Sequence, residues 1–202
     1  MPQLPIYLIG YGTRSLDAFV DALKAHDIAY LIDVRTRPYS RFKPEFSRQA
    51  LDAALKAQGI RYVFMGDTLG GLPDDPTCYV DGKVVYELMR EKAFFQTGVE
   101  RLRRAWEQGL PVVLMCSEGK PENCHRSKLI APALLAQDVD VIHIDETDAL
   151  ITQEQVMDRI TGGQPSLFGD DFLDLKSRKR YAVSTDEHDE NEDEEEGWDH
   201  DR

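Results

Sequence analysis

Cysteine is scarce in this chain, and the little there is forms no scaffold. Cys78, Cys116 and Cys124 are an odd set without the regular spacing of a disulfide framework. That argues for reduced thiols and a cytoplasmic setting. Long apolar runs are missing as well. None approaches the roughly 20 residues needed to cross a bilayer, so no membrane partner is expected. The N-terminus, MPQLPIYLIG, lacks the basic segment, apolar stretch and small-residue cleavage site of a signal peptide, and none is expected. No internal repeat is present.

Positive charge is short only on paper. The net charge of -13 arises largely in residues 186–202, DEHDENEDEEEGWDHDR, with 11 acidic side chains and one Arg. Without them the 24 basic residues become 23 and the 37 acidic ones 26, a near balance of -3. A run of this kind repels itself and is expected to be disordered. It reads as a solubility tail or as a mimic of nucleic acid covering the basic cluster Lys176-Ser177-Arg178-Lys179-Arg180. The remaining chain, with 42% hydrophobic residues overall, is long enough for one well-buried core.

The order of elements predicts an α/β fold. Ile6 to Ile9 reads as a strand ending in the turn Gly10-Tyr11-Gly12, and Ser15 as the cap of a helix that buries Leu16, Phe19, Val20 and Leu23. Tyr30 to Val34 is a second strand, nearly continuous in apolar residues, as in a sheet covered on both faces. Ser47 is read as the cap of a helix stopped by Gly59, and Ile60 to Met65 as a third strand. After the loop Leu69–Pro76, Asp81-Gly82 marks a small hairpin. A helix from about Phe94 to Glu107, a strand from Val112, a last strand from Val139 to Ile144 and a helix from Gln153 to Ile160 complete the pattern. It predicts a single Rossmann-like three-layer domain with a mostly parallel sheet over residues 1–161. Residues 162–185 read as an extended linker with little stable structure, and 186–202 as the acidic tail.

Ligands of open α/β sheets bind beyond the carboxyl ends of the strands. Three polar clusters are expected there: Gly10 to Arg14 with Tyr11, then Asp33 with Arg35, Arg37 and Arg41, then the loop CSEGKPENCHR from Cys116 to Arg126. A helix starting near Cys124 would offer unpaired N–H groups and a partial positive charge. With Lys120 and Arg126 it would suit a phosphate, sulfate or carboxylate, and would expose a thiolate. Cys124 at the helix start and Cys116 at the strand end are alternative nucleophiles, or a nucleophile and its resolving partner. Either thiol is otherwise a small buried hydrophobe. His125 and Glu118 are candidate proton carriers. Cys116, Cys124 and His125, with Cys78, Glu118 or His143 as a fourth ligand, are the alternative as a metal site. Their spacing lacks the paired short intervals of common zinc sites, and no metal or other cofactor is expected.

The segments LIDVRTRPYSR (Leu31–Arg41), LGG (Leu69–Gly71) and CSEGKPENCHR (Cys116–Arg126) resemble the signature of the family catalogued as domain of unknown function 488. The likeness covers about residues 5 to 145. It implies an α/β fold and marks Asp33, Arg35, Pro38, Arg41, Cys116, Glu118, Cys124, His125 and Arg126 as site positions, without naming a substrate. That family often has Gly-His-Ser after its first strand, where this chain has Gly10-Tyr11-Gly12. A looser likeness joins the chain to rhodanese-like and Cys-dependent phosphatase domains. Those place Arg six positions after the catalytic Cys; here Cys116 and Arg126 are ten apart.

One motif lies outside the expected domain. Gln164-Pro165-Ser166-Leu167-Phe168 resembles the peptide by which bacterial replication and repair proteins dock on the sliding clamp, with Pro165 in place of Leu. Gln164, Leu167 and Phe168 would be the partner-binding residues. The expected function is a cytoplasmic enzyme with an anion-binding, cysteine-containing site, acting on a phosphorylated small molecule or nucleic acid. Its rivals are a non-catalytic DNA-maintenance module tethered to the clamp and a Cys/His metal-binding protein.

Overall fold

Apolar alternation along the central strands decides which side chains reach which face of the sheet. In the computed structural model, which describes residues 3–162 and 175–181, strand β1 (Ile6–Gly10) leads into helix α1 (Leu16–Lys24). Next come β2 (Tyr30–Asp33), α2 (Arg48–Ala57), β3 (Arg61–Phe64) and a single turn, α3 (Gly66–Leu69). The hairpin β4 (Tyr79–Val80) and β5 (Lys83–Val84) is followed by α4 (Tyr86–Arg90) and α5 (Ala93–Glu107). Strand β6 (Val112–Cys116) enters the polar loop. A π-helical turn, Arg126–Ile130, then continues into α6 (Ala131–Leu135). Strands β7 (Val141–Ile144) and β8 (Leu150–Ile151) precede α7 (Gln153–Thr161).

The main sheet has the order β3-β2-β6-β1-β7-β8, with β8 alone antiparallel to its neighbour. Both faces are covered, as the apolar runs of β2 and β6 predict. Val113 and Met115 join Phe19, Leu23, Leu51 and Leu55 beneath α1 and α2. Val112, Leu114 and Cys116 point the other way, into a core with Phe95, Val99, Leu102, Leu129 and Leu134. That parity puts Cys116 on the same side of the sheet as Cys124. The result is the expected three-layer α/β domain. No helix among the described residues is long and apolar enough to cross a membrane.

Several local expectations are corrected. Ser15 caps α1, accepting the Ala18 N–H at 3.2 Å. Ser47 occupies the equivalent position of α2 but makes no side-chain cap; its hydroxyl accepts the Ser40 N–H at 3.1 Å instead, bracing the Arg37–Phe46 loop. The helix after the cysteine loop begins near Cys124 as expected, with His125 as its cap and Arg126 as its first residue, while Cys124 itself is extended (φ -105°, ψ 148°) and closes a 3₁₀ turn over Pro121–Asn123. Helix α4 and strand β8 carry too few residues to show a clear period, and were not anticipated. Nor does order end at Gly162. Residues 175–181 return to the hairpin, with Val85 and Lys176 in an antiparallel bridge, Ser177 N–H on Val84 O at 2.9 Å and Tyr181 N–H on Gly82 O at 2.6 Å. Gln164, Leu167, Phe168 and the acidic run 186–202 lie outside the described residues.

Candidate active site

Strands β2, β6 and β1 lie side by side, and their registers bring Asp33 beside Met115 and Gly10 beside Cys116. A cleft of about 300 Å³ opens beyond these carboxyl ends. Tyr11 comes from the first loop, Arg35 and Arg37 from the second, and Cys116, Cys124 and His125 from the third. The three polar clusters therefore share one cavity.

At its floor, the two thiols and His125 Nδ1 lie within 4.8 Å of one another. His125 Nδ1 sits 3.8 Å from Cys116 Sγ and 3.7 Å from Cys124 Sγ. Arg126, only 1% exposed, donates from Nε to Cys124 Sγ at 3.1 Å and from Nη2 to the Glu118 carbonyl at 2.8 Å. These contacts give the two thiols opposite tendencies. Cys116 is pushed well above the usual thiol range, by its hydrogen bond to Cys124 and by burial. Burial opposes a charge on Cys124 too. The Cys116 hydrogen bond, Arg126 and His125 outweigh it, and hold Cys124 well below that range. The two thiols thus titrate as a coupled pair, with Cys124 the more acidic of the two.

Small residues make this close packing possible. A Cβ on Gly10 would lie 1.7 Å from the Glu118 carbonyl oxygen and 2.8 Å from Arg126 Nη2. Only glycine lets the cysteine loop fold over the end of β1. Gly71 serves His125 in the same way, since a Cβ there would meet the ring at 2.9 Å. The LGG segment is thus a floor for the imidazole.

The second wall is an ion pair. Arg35 donates from Nε to Asp33 Oδ1 at 2.9 Å and from Nη2 to Oδ2 at 2.6 Å and to Phe46 O at 2.8 Å. Tyr62 adds its hydroxyl to Asp33 Oδ2 at 2.6 Å. Asp33 is wholly buried and fully engaged, so its part is to orient Arg35. The Arg35 guanidinium also lies 5.4 Å from the Tyr11 ring centroid, and Tyr11 stacks on Phe46. Arg35 Nη1 is buried, with no partner among the described residues, although Arg35 lines the cleft.

The other sequence candidates fall at different distances from the floor. Glu118 lines the cleft, its carboxyl pKa raised by burial, with an oxygen 3.8 Å from Arg178 Nη2. Arg37 is exposed at the rim. Arg41 and Lys120 are exposed and do not line the cleft. Arg14 turns away to Asp148 and the Asp145 carbonyl. Of the possible fourth metal ligands, neither Cys78, Glu118 nor His143 joins the close group of Cys116, Cys124 and His125. His143 is buried under the loop. Gln153 Nε2 donates to Ser127 O at 2.8 Å, so Gln153 Oε1 must accept from His143 Nε2 at 2.8 Å. Ser127 Oγ in turn bonds Cys124 O at 2.9 Å. This relay ties the cysteine loop to β7 and α7.

Sequence reasoning missed the outer wall. Ser177, Arg178, Lys179 and Tyr181 line the cleft, as do Tyr39 and Tyr86. The signal was the cluster Lys176 to Arg180, noted as basic but not placed at the site.

No curated protein and no solved structure matches the chain. A family model does match, over residues 15–132. That stretch runs from the cap of α1 into α6 and holds the Asp33–Arg35 pair, the Gly71 floor and the whole Cys116–Arg126 loop. The model is described as domain of unknown function DUF488, it spans more than half of the chain, and the chain belongs to that family.

Proposed function

We propose that this protein is an enzyme that uses a cysteine thiolate on an anionic substrate, a phosphorylated small molecule or a nucleic acid. The observation that carries this reading is the bond from Arg126 Nε to Cys124 Sγ. A buried guanidinium on a thiolate activates a nucleophile near neutral pH. In this reading Cys124 Sγ attacks the phosphorus of the substrate, the bond from phosphorus to the leaving oxygen breaks with its electron pair, and that oxygen takes up a proton as it departs. Cys116 stays protonated beside it. His125, whose Nδ1 reaches both sulfurs, carries the proton, with Glu118 as the alternative at the rim. Arg35, with Nη1 unpaired, receives the substrate's anionic group, and Arg37 adds charge at the mouth. Reduced thiols fit a cytoplasmic setting.

Alkylation by iodoacetamide tests this directly. Cys124 is expected to react well below pH 8, inorganic phosphate is expected to protect it, and Cys124→Ser is expected to abolish the labelling. A Cys124 inert at neutral pH would remove thiolate catalysis and leave the non-catalytic binding module.

A Cys/His metal site is the second reading, favoured by the three ligand atoms within 4.8 Å. Arg126 weakens it, because its cationic group already occupies Cys124 Sγ. Zinc titration under reducing conditions separates the two: stoichiometric zinc that blocks alkylation of both cysteines would favour the metal. Tethering to a sliding clamp through Gln164, Leu167 and Phe168 is a further part of the proposal, carried by sequence alone. Pull-down by the clamp, lost in Leu167→Ala/Phe168→Ala, is the expected result, and failure of the intact chain to bind would end it.

A further inference from the structure

Two cationic chain segments flank the mouth of the cleft, and Glu118, 3.8 Å from Arg178, lines it as well. The first, Arg35 to Pro44, places Arg35 and Arg37 on the cleft; Arg41 is exposed beyond it, and Lys43 Nζ is turned to Arg14 O at 2.6 Å. Opposite, Lys176 to Arg180 contributes four more basic residues, of which Arg178 and Lys179 line the cleft. The first segment also displays two aromatic rings that the fold does not bury. Tyr39 is 72% exposed and lines the cleft; Phe42 is 85% exposed. Just past this segment, beyond Glu45, Phe46 turns into the core against Tyr11 and Phe19. Inside the mouth, the buried Arg35 leaves Nη1 unpaired.

One exposed apolar side chain is ordinary on a protein surface, but Tyr39 and Phe42 stand three residues apart on one cationic loop beside the cleft. A small phosphorylated metabolite would engage the floor and leave Tyr39 and Phe42 bare. A protein partner would meet a mouth where Arg37, Arg178 and Lys179 face a single acidic lining residue, Glu118, so its own cations would find little to pair with. Aromatic rings interleaved with cations along an irregular loop instead match a chain of alternating bases and phosphates. The geometry points to a single-stranded nucleic acid as the ligand of this cleft. Bases stack on Tyr39 and Phe42, Arg37 and Arg178 hold phosphates, and one phosphate or base edge reaches Arg35. A duplex keeps its bases stacked on one another and offers no free face to these rings. The inference rests on the anion-binding reading of the cleft and narrows its substrate class.

The test is fluorescence anisotropy of the full-length protein with a fluorescein-labelled oligothymidylate of about 10 nucleotides, within the ~4–16 that a small groove covers. Saturable binding at low salt is expected. Tyr39→Ala and Phe42→Ala should each weaken it by roughly 5- to 150-fold, the usual effect of losing one stacked base. Tyr39→Phe should bind as the parent does, because stacking does not need the hydroxyl. Arg178→Gln should lower the slope of log Kd against log salt by about 0.7. Both rings are exposed, so these variants leave the fold intact. No saturable binding, unchanged affinity in both alanine variants, or equal competition by unlabelled duplex would each overturn the inference. Phosphate protection of Cys124 without oligonucleotide binding would sink this inference and leave the anion site standing. Oligonucleotide binding with inert thiols would support it and remove the catalytic reading.

Discussion

Arg126 and Cys124 are two residues apart in the chain, and the guanidinium Nε lies 3.1 Å from the sulfur. The extended conformation of Cys124 and the π-helical turn that follows turn both side chains toward each other. π-Turns often occur at functional sites. The Arg126 charge acts with the Cys116 hydrogen bond and His125 to lower the Cys124 pKa. Arg126→Gln is therefore expected to raise the pH of half-maximal Cys124 alkylation by about 1–3, the usual effect of one nearby opposite charge. Arg126→Lys should recover part of that, with its charge kept but its forked geometry lost. An unchanged pH profile in Arg126→Gln would assign the activation elsewhere.

Asp33 and Arg35 form a buried pair with every carboxylate oxygen engaged. Removing one partner strands the other in a dry setting. Asp33→Asn is expected to cost roughly 3–5 kcal/mol in urea unfolding, far more than an exposed ion pair would. The same change frees Arg35 from its fork, so phosphate protection of Cys124 should fall even where the protein remains folded. A loss below about 1 kcal/mol, the range of surface pairs, would contradict the buried-pair account.

Much of this was legible in the sequence where a period or a cap spoke locally. The apolar runs of β2 and β6, the Ser15 cap and the Asp81-Gly82 hairpin needed no tertiary information. The convergence of Tyr11, Arg35 and Cys116 followed from a topological rule about strand ends. What could not be read depended on distant partners. Ser47 spends its hydroxyl on Ser40, a choice set by loop geometry. Arg41 and Lys120 look like Arg35 in sequence, yet only Arg35 has an Asp33 to pull it inward. The return of residues 175–181 to the hairpin is a long-range pairing of a short polar segment, with no periodicity to announce it. The difference between Cys116 and Cys124 depends on the hydrogen bond between them and on the positions of Arg126 and His125, none of which a local pattern reports.

Gly71 supports His125 by lacking a side chain. Gly71→Ala would place a methyl 2.9 Å from His125 Cγ, and the ring is the part free to shift. The expected cost is on the order of 1 kcal/mol, or about 2–4 °C in Tm for a chain of this size. The more telling result is chemical. Displacing the imidazole from between the sulfurs should slow Cys124 alkylation at pH 7 with the far-UV spectrum unchanged. A normal alkylation rate would mean that His125 does not tune the thiols.

His143 offers a test of the relay beneath the cysteine loop. Burial, despite its bond to Gln153, lowers its pKa from the usual 6.5 to about 4. The folded state thus keeps His143 neutral where the unfolded chain protonates it. Between about pH 6.5 and 4 the unfolded state binds the extra proton, so stability must decline as pH falls through that window. Below it both states are protonated, and the loss is complete at ~3 kcal/mol. His143→Gln keeps a donor near Gln153 but has nothing to titrate. It should be less stable than the parent at pH 7, where the parent's buried histidine carries no penalty, yet flatter across the window. Urea midpoints measured at several pH values check this, and parallel curves for the two proteins would refute it. If the relay holds the loop, Cys124 alkylation in the parent should also fall toward the bottom of that window by more than thiolate protonation alone predicts. The His143→Gln variant should lack that extra fall.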